Sequence, residues 1–439
     1  MSAWSAYLPW LELAGVVLLL LPLPLVGRVP LAYNLRNLTV RWPITALTAL
    51  AFTIVVGLLT VMLAFVNGMD RLTQGSGRPG NVLVLSEGAT DELFSTLSRD
   101  DTGDVAREPG IQRDEGGTPL CSRELYVVVN QAIPPGPGER HERRRFIQVR
   151  GIEDPRISLR VHGLELYPGG TTFSGAGVRS VGAGRLDAIE AILGEGVARE
   201  LAGERGKERL DVGDVFELGP RQWVVTGVMK SGGSTFNSEV WAKGQKVGDQ
   251  FGKQNVYSSI VLRTPDAGTA QELSERLKKY KKVRLEAQPE TEYYAKLSEA
   301  SQQLLYFIYF VAVIMAMGGV FGVMITMFAA ISQRIGDIGV LRILGFARWQ
   351  VLVSFLLETL VIALVGGVLG CALGYLADGR TATSVVSNGQ GGGKSVVLKL
   401  VVDGNIIAVG LLFTLVMGLV GGLAPALWAM FQKPLRALH

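Results

Sequence analysis

The chain has 439 residues and a formal net charge of only +4, with 43 Lys and Arg against 39 Asp and Glu. Its three histidines (His141, His162 and the terminal His439) provide no histidine-based zinc cluster, and its two cysteines fall in different compartments, which excludes an intramolecular disulfide. Mean hydropathy is positive, and the apolar residues are gathered in long uninterrupted runs, as in a membrane protein.

The first apolar run, residues 10–26, is interrupted by Pro22 and Pro24 and carries Glu12 near its start. About 17 residues is the lower limit for a crossing. No basic region precedes the run, which argues against a cleaved signal peptide. Two readings stand: a short extra span with an external N-terminus, or an interfacial segment with Trp4, Tyr7 and Trp10 at headgroup level. Residues 1–30 are therefore set apart from 31–66, a basic entry (Arg36, Arg41) followed by a first span over 44–66 that contains no charge.

Residues 67–303 read as an α+β domain. "NVLVLS", "LYVVVN", "FIQVRGI", "VFELG", "WVVTGVM" and "SSIVLRT" have strand character, with a hairpin turn at Gly219-Pro220. "LDAIEAILGEGVARELAGER" and "TAQELSERLKKYKK" have helical spacing. Catalytic chemistry is missing: the carboxylates are scattered, and "GAGVRS" from Gly175 lacks the third glycine of a dinucleotide fingerprint and reads as a turn. The basic run "RHERRRFIQVR" from Arg140 follows "PPGPG" and reads as a solvated strand edge, with no nucleic acid partner on the outside of a cell. The last helix, "TEYYAKLSEASQQLLYFIYF", enters the next span without a Pro or Gly.

The C-terminal block, 304–439, holds three more spans over 304–331, 351–376 and 405–431, giving four in all, or five if 10–26 crosses. Arg28, Arg36 and Arg41 flank the first span, Arg334, Arg342 and Arg348 lie between the second and third, and Lys433 and Arg436 follow the fourth. Excess basic charge stays in the cytoplasm. This places 67–303 and the loop 377–404 outside. That loop contains "SNGQGGGKSVVLKL", whose Gly393-Lys394-Ser395 imitates half of a phosphate-binding loop. Position 388, where the first glycine belongs, is Asn388, and a β-branched run follows instead of a helix. It reads as a glycine-rich tip between two short strands.

Within the spans, Gly318 and Gly322, then Gly366, Gly370 and Gly374, then Gly418 and Gly422 recur every four residues, a spacing that lets helix backbones approach closely. Glu358 is the acidic residue deep in a span, about 10–13 Å from the cytoplasmic end of its helix, where it requires a proton or a partner. Between spans, 332–350 forms a short amphipathic element. Ile335, Ile338 and Leu341 share an apolar face, while Arg334, Asp337 and Arg342 stay polar and Gly339 and Gly345 punctuate it. Such an element suits lipid headgroups or a groove on a cytoplasmic partner.

"QRIGDIGVLRILGFARWQVLVSFLLET" resembles the signature of FtsX/MacB-type ABC transporter permeases: an Arg, an Ile-Gly pair, a Leu-Arg step and a Gly ahead of a span with an acidic residue. "YNLRNLTVRWPITALTALAFTIVVG" is similar to the family's entry into its first span, and "GGLAPALWAMFQKPLRAL" to its closing span and tail. The resemblance runs from Tyr33 to the end. Residues 1–30 and the long loop before the fourth span depart from the pattern. It implies a MacB-like periplasmic core at 67–303, a multi-pass location in the cytoplasmic (inner) membrane, no catalytic, cofactor or metal site, and a separate cytoplasmic ABC ATPase subunit contacting Arg334–Gly345. A homodimer or paired permease, a periplasmic adaptor and membrane lipid are the further partners it implies. The function implied is export or extraction of an envelope substrate. The alternatives are a membrane-anchored receptor and a regulator of an envelope hydrolase without transport.

Overall fold

The computed structural model describes residues 8–20, 36, 38, 40, 42–133, 143–181, 186–203, 206–280, 282–387 and 393–431. Trp4, Tyr7, Pro22, Pro24, Arg28, Arg41, the "PPGPG" loop, His141, Asn388 to Gly392, Lys433, Arg436 and His439 lie outside the described residues. The chain forms two compact units: Met1–Asn67, Gln303–Arg380 and Leu400–His439 make one, and Gly68–Gln302 with Thr381–Lys399 make the other. The helices in chain order are α1 (Leu8–Leu20), α2 (Trp42–Gln74), α3 (Arg99–Val105), α4 (Pro155–His162), α5 (Glu195–Gly203), α6 (Gly244–Phe251), α7 (Ala267–Lys278), α8 (Glu290–Ser332), α9 (Ile335–Ile343), α10 (Arg348–Tyr375) and α11 (Gly404–Met430).

In the first unit, Trp42–Leu72, Leu305–Ser332, Arg348–Tyr375 and Gly404–Met430 are each long and apolar enough to cross a membrane. Lipid is as apolar as leucine, so close backbone approach has to hold these helices together. α10 supplies it on two faces. Toward α2, a Cβ on Gly366 would lie 2.6 Å from the Ala49 carbonyl oxygen, and one on Gly370 2.8 Å from that of Thr53. Gly374 meets the Thr60 side chain in the same way, at 2.5 Å. Thr53 Oγ1 donates to the Gly366 carbonyl at 3.1 Å, a bond that only this approach permits. Toward α11, Gly418 faces Ala363 and Gly422 faces Thr359, at 2.6 and 2.8 Å. Gly318 and Gly322 behave differently: among the described residues, a Cβ on either would meet nothing from another helix within 4 Å. In α8 it is the neighbouring Gly319 that receives α11, through Met417, because the helix turns that side inward. α1 lies along the bundle, with Trp10 against Gly404 and Leu13 and Val16 packed on Leu356, Leu360 and Leu415.

The second unit is built on a ten-stranded sheet. Its strands are β1 (Asn81–Ser86), β3 (Cys121–Ile133), β4 (Arg143–Ile152), β5 (Val178–Val181), β6 (Leu186–Gly194), β7 (Val215–Leu218), β8 (Arg221–Met229), β9 (Glu239–Lys243), β11 (Ser259–Arg263) and β12 (Leu285–Pro289). A short β2 (Leu97–Ser98) pairs β10 (Val256–Tyr257) beside it. The order is β12-β1-β11-β3-β4-β9-β6-β8-β7, with β5 also on β6, and the pairs β4/β9 and β6/β8 are parallel. The first half of "LDAIEAILGEGVARELAGER", expected to be helical, is strand β6. It is central, Ala188, Ile189, Ala191, Ile192 and Leu193 are all buried, and a strand covered on both faces has no two-residue alternation to betray it. The helix begins only at Glu195. β7 and β8 form the hairpin at Gly219, whose φ of 62° suits glycine.

The loop after α10 carries a third, separate sheet, β13 (Thr381–Ser387) paired with β14 (Gly393–Lys399), and belongs to the second unit. The Lys399 carbonyl oxygen would be 2.2 Å from a Cβ on Gly68, so the end of β14 passes directly against α2.

The two kinds of glycine should respond oppositely to a side chain. Gly370→Val places a branched Cβ in backbone and should destabilise the full chain in detergent by at least ~1–3 kcal/mol, read as lost thermal stability or monodispersity. Gly322→Val, entering open space, should leave both unchanged.

Candidate functional site

α8 ends at Ser332, and two residues later Arg334 opens α9. The Arg334 side chain turns into the bundle. Its Nη1 donates to Glu358 Oε2 at 2.8 Å, and both side chains are 5% exposed. Glu358 of α10 thus meets its charge with a partner from the connecting element. Thr48 of α2 and Thr326 of α8, hydroxyl to hydroxyl at 3.3 Å, line the same recess. A buried pair of this kind holds its two elements in register, because removing one partner strands the other charge.

α9 rotates its apolar residues otherwise than the spacing predicts. Ile338, expected on an outward face with Ile335 and Leu341, is 2% exposed and packs in the core of the spans with Ile331, Val351 and Phe355; Gly339 is buried beside it. Ile335, Leu341 and Arg342 are half-buried. The helix has to follow Arg334 inward, and Ile338, one turn on, goes with it. The exposed face carries Asp337, Val340 (53%), Ile343 (61%) and Leu344 (70%). Gly345 ends the helix with φ 95°, and the Gly345 and Phe346 amides donate to the carbonyls of Arg342 and Leu341, a Schellman closure that needs glycine at this place.

The second unit contains a site that the sequence reading missed. Arg150 on β4 is 1% exposed, and all five of its N–H groups donate to carboxylates. Nε and Nη2 reach Glu239 at 2.7 Å each, Nη1 and Nη2 reach Glu92 at 2.7 and 3.2 Å, and Nη1 also reaches Glu124. Glu124 accepts from Ser122 Oγ and contacts His162 Nε2 at 2.6 Å. Glu290, the first residue of α8, accepts from the Arg78 amide and from Asn81 Nδ2 at 3.0 and 2.8 Å. Its other oxygen lies 3.5 Å from His162 Nδ1. His162 is held against Phe236 and Trp241, with ring centroids 4.6 and 5.6 Å away. Local signals place it there: Asp154 caps α4, Pro155 opens it, and Gly163 at φ 56° stops it just after His162. Burial pulls the His162 pKa down, but Glu124 and then Glu290 overcome it and push it up to about 10, so the ring is an imidazolium. Burial raises the Glu124 pKa, while His162 and Arg150 outweigh it and hold the carboxyl below its ordinary value.

Two family models match the chain: the MacB-like periplasmic core domain over residues 45–280, and the FtsX-like permease C-terminal over 309–434. The ABC transporter permease YknZ of Bacillus subtilis (strain 168) is 24% identical over 433 residues, covering 93% of this chain and 96% of its own. The macrolide export ATP-binding/permease protein MacB of Bdellovibrio bacteriovorus is 27% identical over 209 residues, 42% of this chain and 30% of MacB, so the match spans less than a third of that relative. Among solved structures, the extracellular domain of YknZ from Gram-positive bacteria aligns with 47% of this chain and 98% of its own at 18% identity, with a TM-score of 0.31.

Glu358→Ala should cost the full chain ~3–5 kcal/mol by stranding Arg334, and the double variant Glu358→Leu with Arg334→Met should cost less than the sum of its singles in detergent unfolding. For His162, the folded value lies above the ordinary 6.5. Its contribution is therefore complete below about pH 6.5 and declines as pH rises toward 10. Thermal stability should fall along that alkaline limb, and His162→Gln should flatten it.

Proposed function

The chain belongs to the family of ABC transporter permeases with a MacB-like periplasmic core domain and an FtsX-like C-terminal part, and from that premise we propose that it is the membrane subunit of a machine driven by a separate cytoplasmic ATPase. The observation that carries this reading is the exposed apolar face of α9, Val340, Ile343 and Leu344, on the short element between the second and third spans. Large apolar side chains grouped on a short connecting helix suit a groove on a partner. Arg334–Glu358 supports the reading, since a push on α9 reaches α10 through it. The site comprises Arg334, Ile335, Asp337, Ile338, Gly339, Leu341, Arg342 and Gly345 as proposed, with Ile338 and Arg334 acting from inside and Val340, Ile343 and Leu344 added outside.

In this reading the short basic flanks face the cytoplasm and the inner membrane holds the spans. α8 runs from Glu290 to Ser332 as one helix, a route by which a motion at α9 is carried into the domain. Only 17% of the second span's most apolar stretch is buried, against 61% for the third, which supports pairing of α8 with a second permease copy in the membrane. The output is mechanical: export or extraction of an envelope substrate by the large domain, with a periplasmic adaptor as a further partner.

Co-purification tests the coupling. Ile343→Asp and Leu344→Asp should each weaken retention of the ATPase subunit tenfold or more, since a charge buried without a partner costs about 2–7 kcal/mol, while the permease remains monodisperse. Ile338→Asp should instead lower the stability of the permease itself. Full retention and ATP-dependent function in both exposed-face variants would remove α9 from the interface and favour a membrane-anchored receptor.

A further inference from the structure

The Arg150 network is saturated everywhere except at one joint. Every guanidinium N–H has a carboxylate, and Glu124 is bonded by Ser122, Arg150 and His162. His162 Nδ1, by contrast, is fully buried and makes no well-formed hydrogen bond; its contact with Glu290 Oε1 is an ion pair stretched to 3.5 Å. A charged donor withdrawn from water gains strongly from a short bond to a carboxylate, so a contact that stops short of one is poised to tighten.

The element on the far side of the joint is the root of α8. Glu290 begins that helix and also gathers the segment that follows α2, by accepting from the Arg78 amide and Asn81 Nδ2. Arg78 and Asn81 reach back to α4 as well: Arg78 Nη2 donates to the Gly163 carbonyl at 3.1 Å and Asn81 Nδ2 to that of Val161 at 3.0 Å. His162 thus stands between a core fixed by Arg150 and a junction from which both long helices depart. Closing the gap to ordinary hydrogen-bond length needs a shift of the first α8 turn of less than about 1 Å.

The geometry points to a two-position latch, in which His162 and Glu290 are held by a long ion pair in this conformation and by a short hydrogen bond in another, fixing the first turn of α8 to the domain core when closed. The groups that face His162 are Glu124 from β3 and Glu290 from α8, with Arg150, Glu92 and Glu239 one bond further on. With His162 titrating at about 10, the ring keeps its charge through neutral and acidic pH, and the latch answers to displacement of α8. The inference concerns the domain alone and stands apart from the ATPase reading, because none of its readouts involves ATP.

Hydrogen exchange of the full chain, read by mass spectrometry, tests it. Glu290→Gln keeps an acceptor for Arg78 and Asn81 and leaves the Glu124–His162 pair in place, so the domain stays folded. Peptides covering residues 290–296 should exchange tenfold or more faster in Glu290→Gln, with β3 and β4 peptides unchanged. His162→Gln should do the same at α8, and the double variant should add nothing to either single. Where His162→Gln does not fold, Glu290→Gln carries the test. Unchanged exchange at 290–296, an equal rise throughout the sheet, or additive effects in the double variant would each overturn the latch.

Discussion

Arg150 puts a guanidinium where water does not reach, and moving an ion of that size into a low-dielectric interior costs several kcal/mol even after relaxation. Its surroundings are the response to that cost. Glu92 comes from a single turn of helix, Glu124 from β3, and Glu239 from β9, and the three sit so that a planar five-donor fork is filled completely. A lysine, with three donors and a point charge, could not make the same five bonds. The central strands are thereby tied to each other across the sheet by a bond pattern that one side chain alone provides, and the packing of Trp241, Phe236 and Tyr126 follows its outline.

The same requirement appears in the membrane unit with the fewest participants possible: one arginine and one glutamate, each 5% exposed. There the rest of the assembly depends on shape. Helices in lipid have no solvent to flee, so contact must come from groups small enough to let main chains touch. α10 uses one glycine row for α2, and α11 brings its own to the other side of α10; threonines stand opposite both at Thr53, Thr60 and Thr359. Their hydroxyls return to carbonyls within their own helices, so each of the three is satisfied where it packs.

Much of this was legible in the sequence. The spans were, since a hydrocarbon core imposes a length that charge-free runs cannot hide, and so were Gly366, Gly370 and Gly374, whose spacing repeats the helix period. Which side each glycine would face was not: the same spacing at Gly318 and Gly322 points to open space, and Gly319 does the packing. On α9 the spacing groups Ile335, Ile338 and Leu341 but does not say which way they turn; Arg334 sets that by reaching a glutamate 24 positions away. β6 was hidden by burial on both faces. The Arg150 site was hidden more thoroughly, since its carboxylates and cations are drawn from separate elements between Glu92 and Glu290 and no spacing rule connects them.

β12, the strand that leads straight into α8, completes its pairing on β1, the first strand of the same sheet, with Val82 opposite Pro289. Pairings so distant in sequence form late and slowly, because the whole intervening chain must be ordered before they are gained. During synthesis, β1 therefore lacks its outer partner until the residue immediately ahead of the second long apolar helix has been made. Closure of the domain and arrival of that helix at the membrane fall in the same interval. The order of biogenesis is built into the topology: first helix, then a domain held incomplete, then the strand that completes it and the helix that follows it in a single continuous stretch of chain.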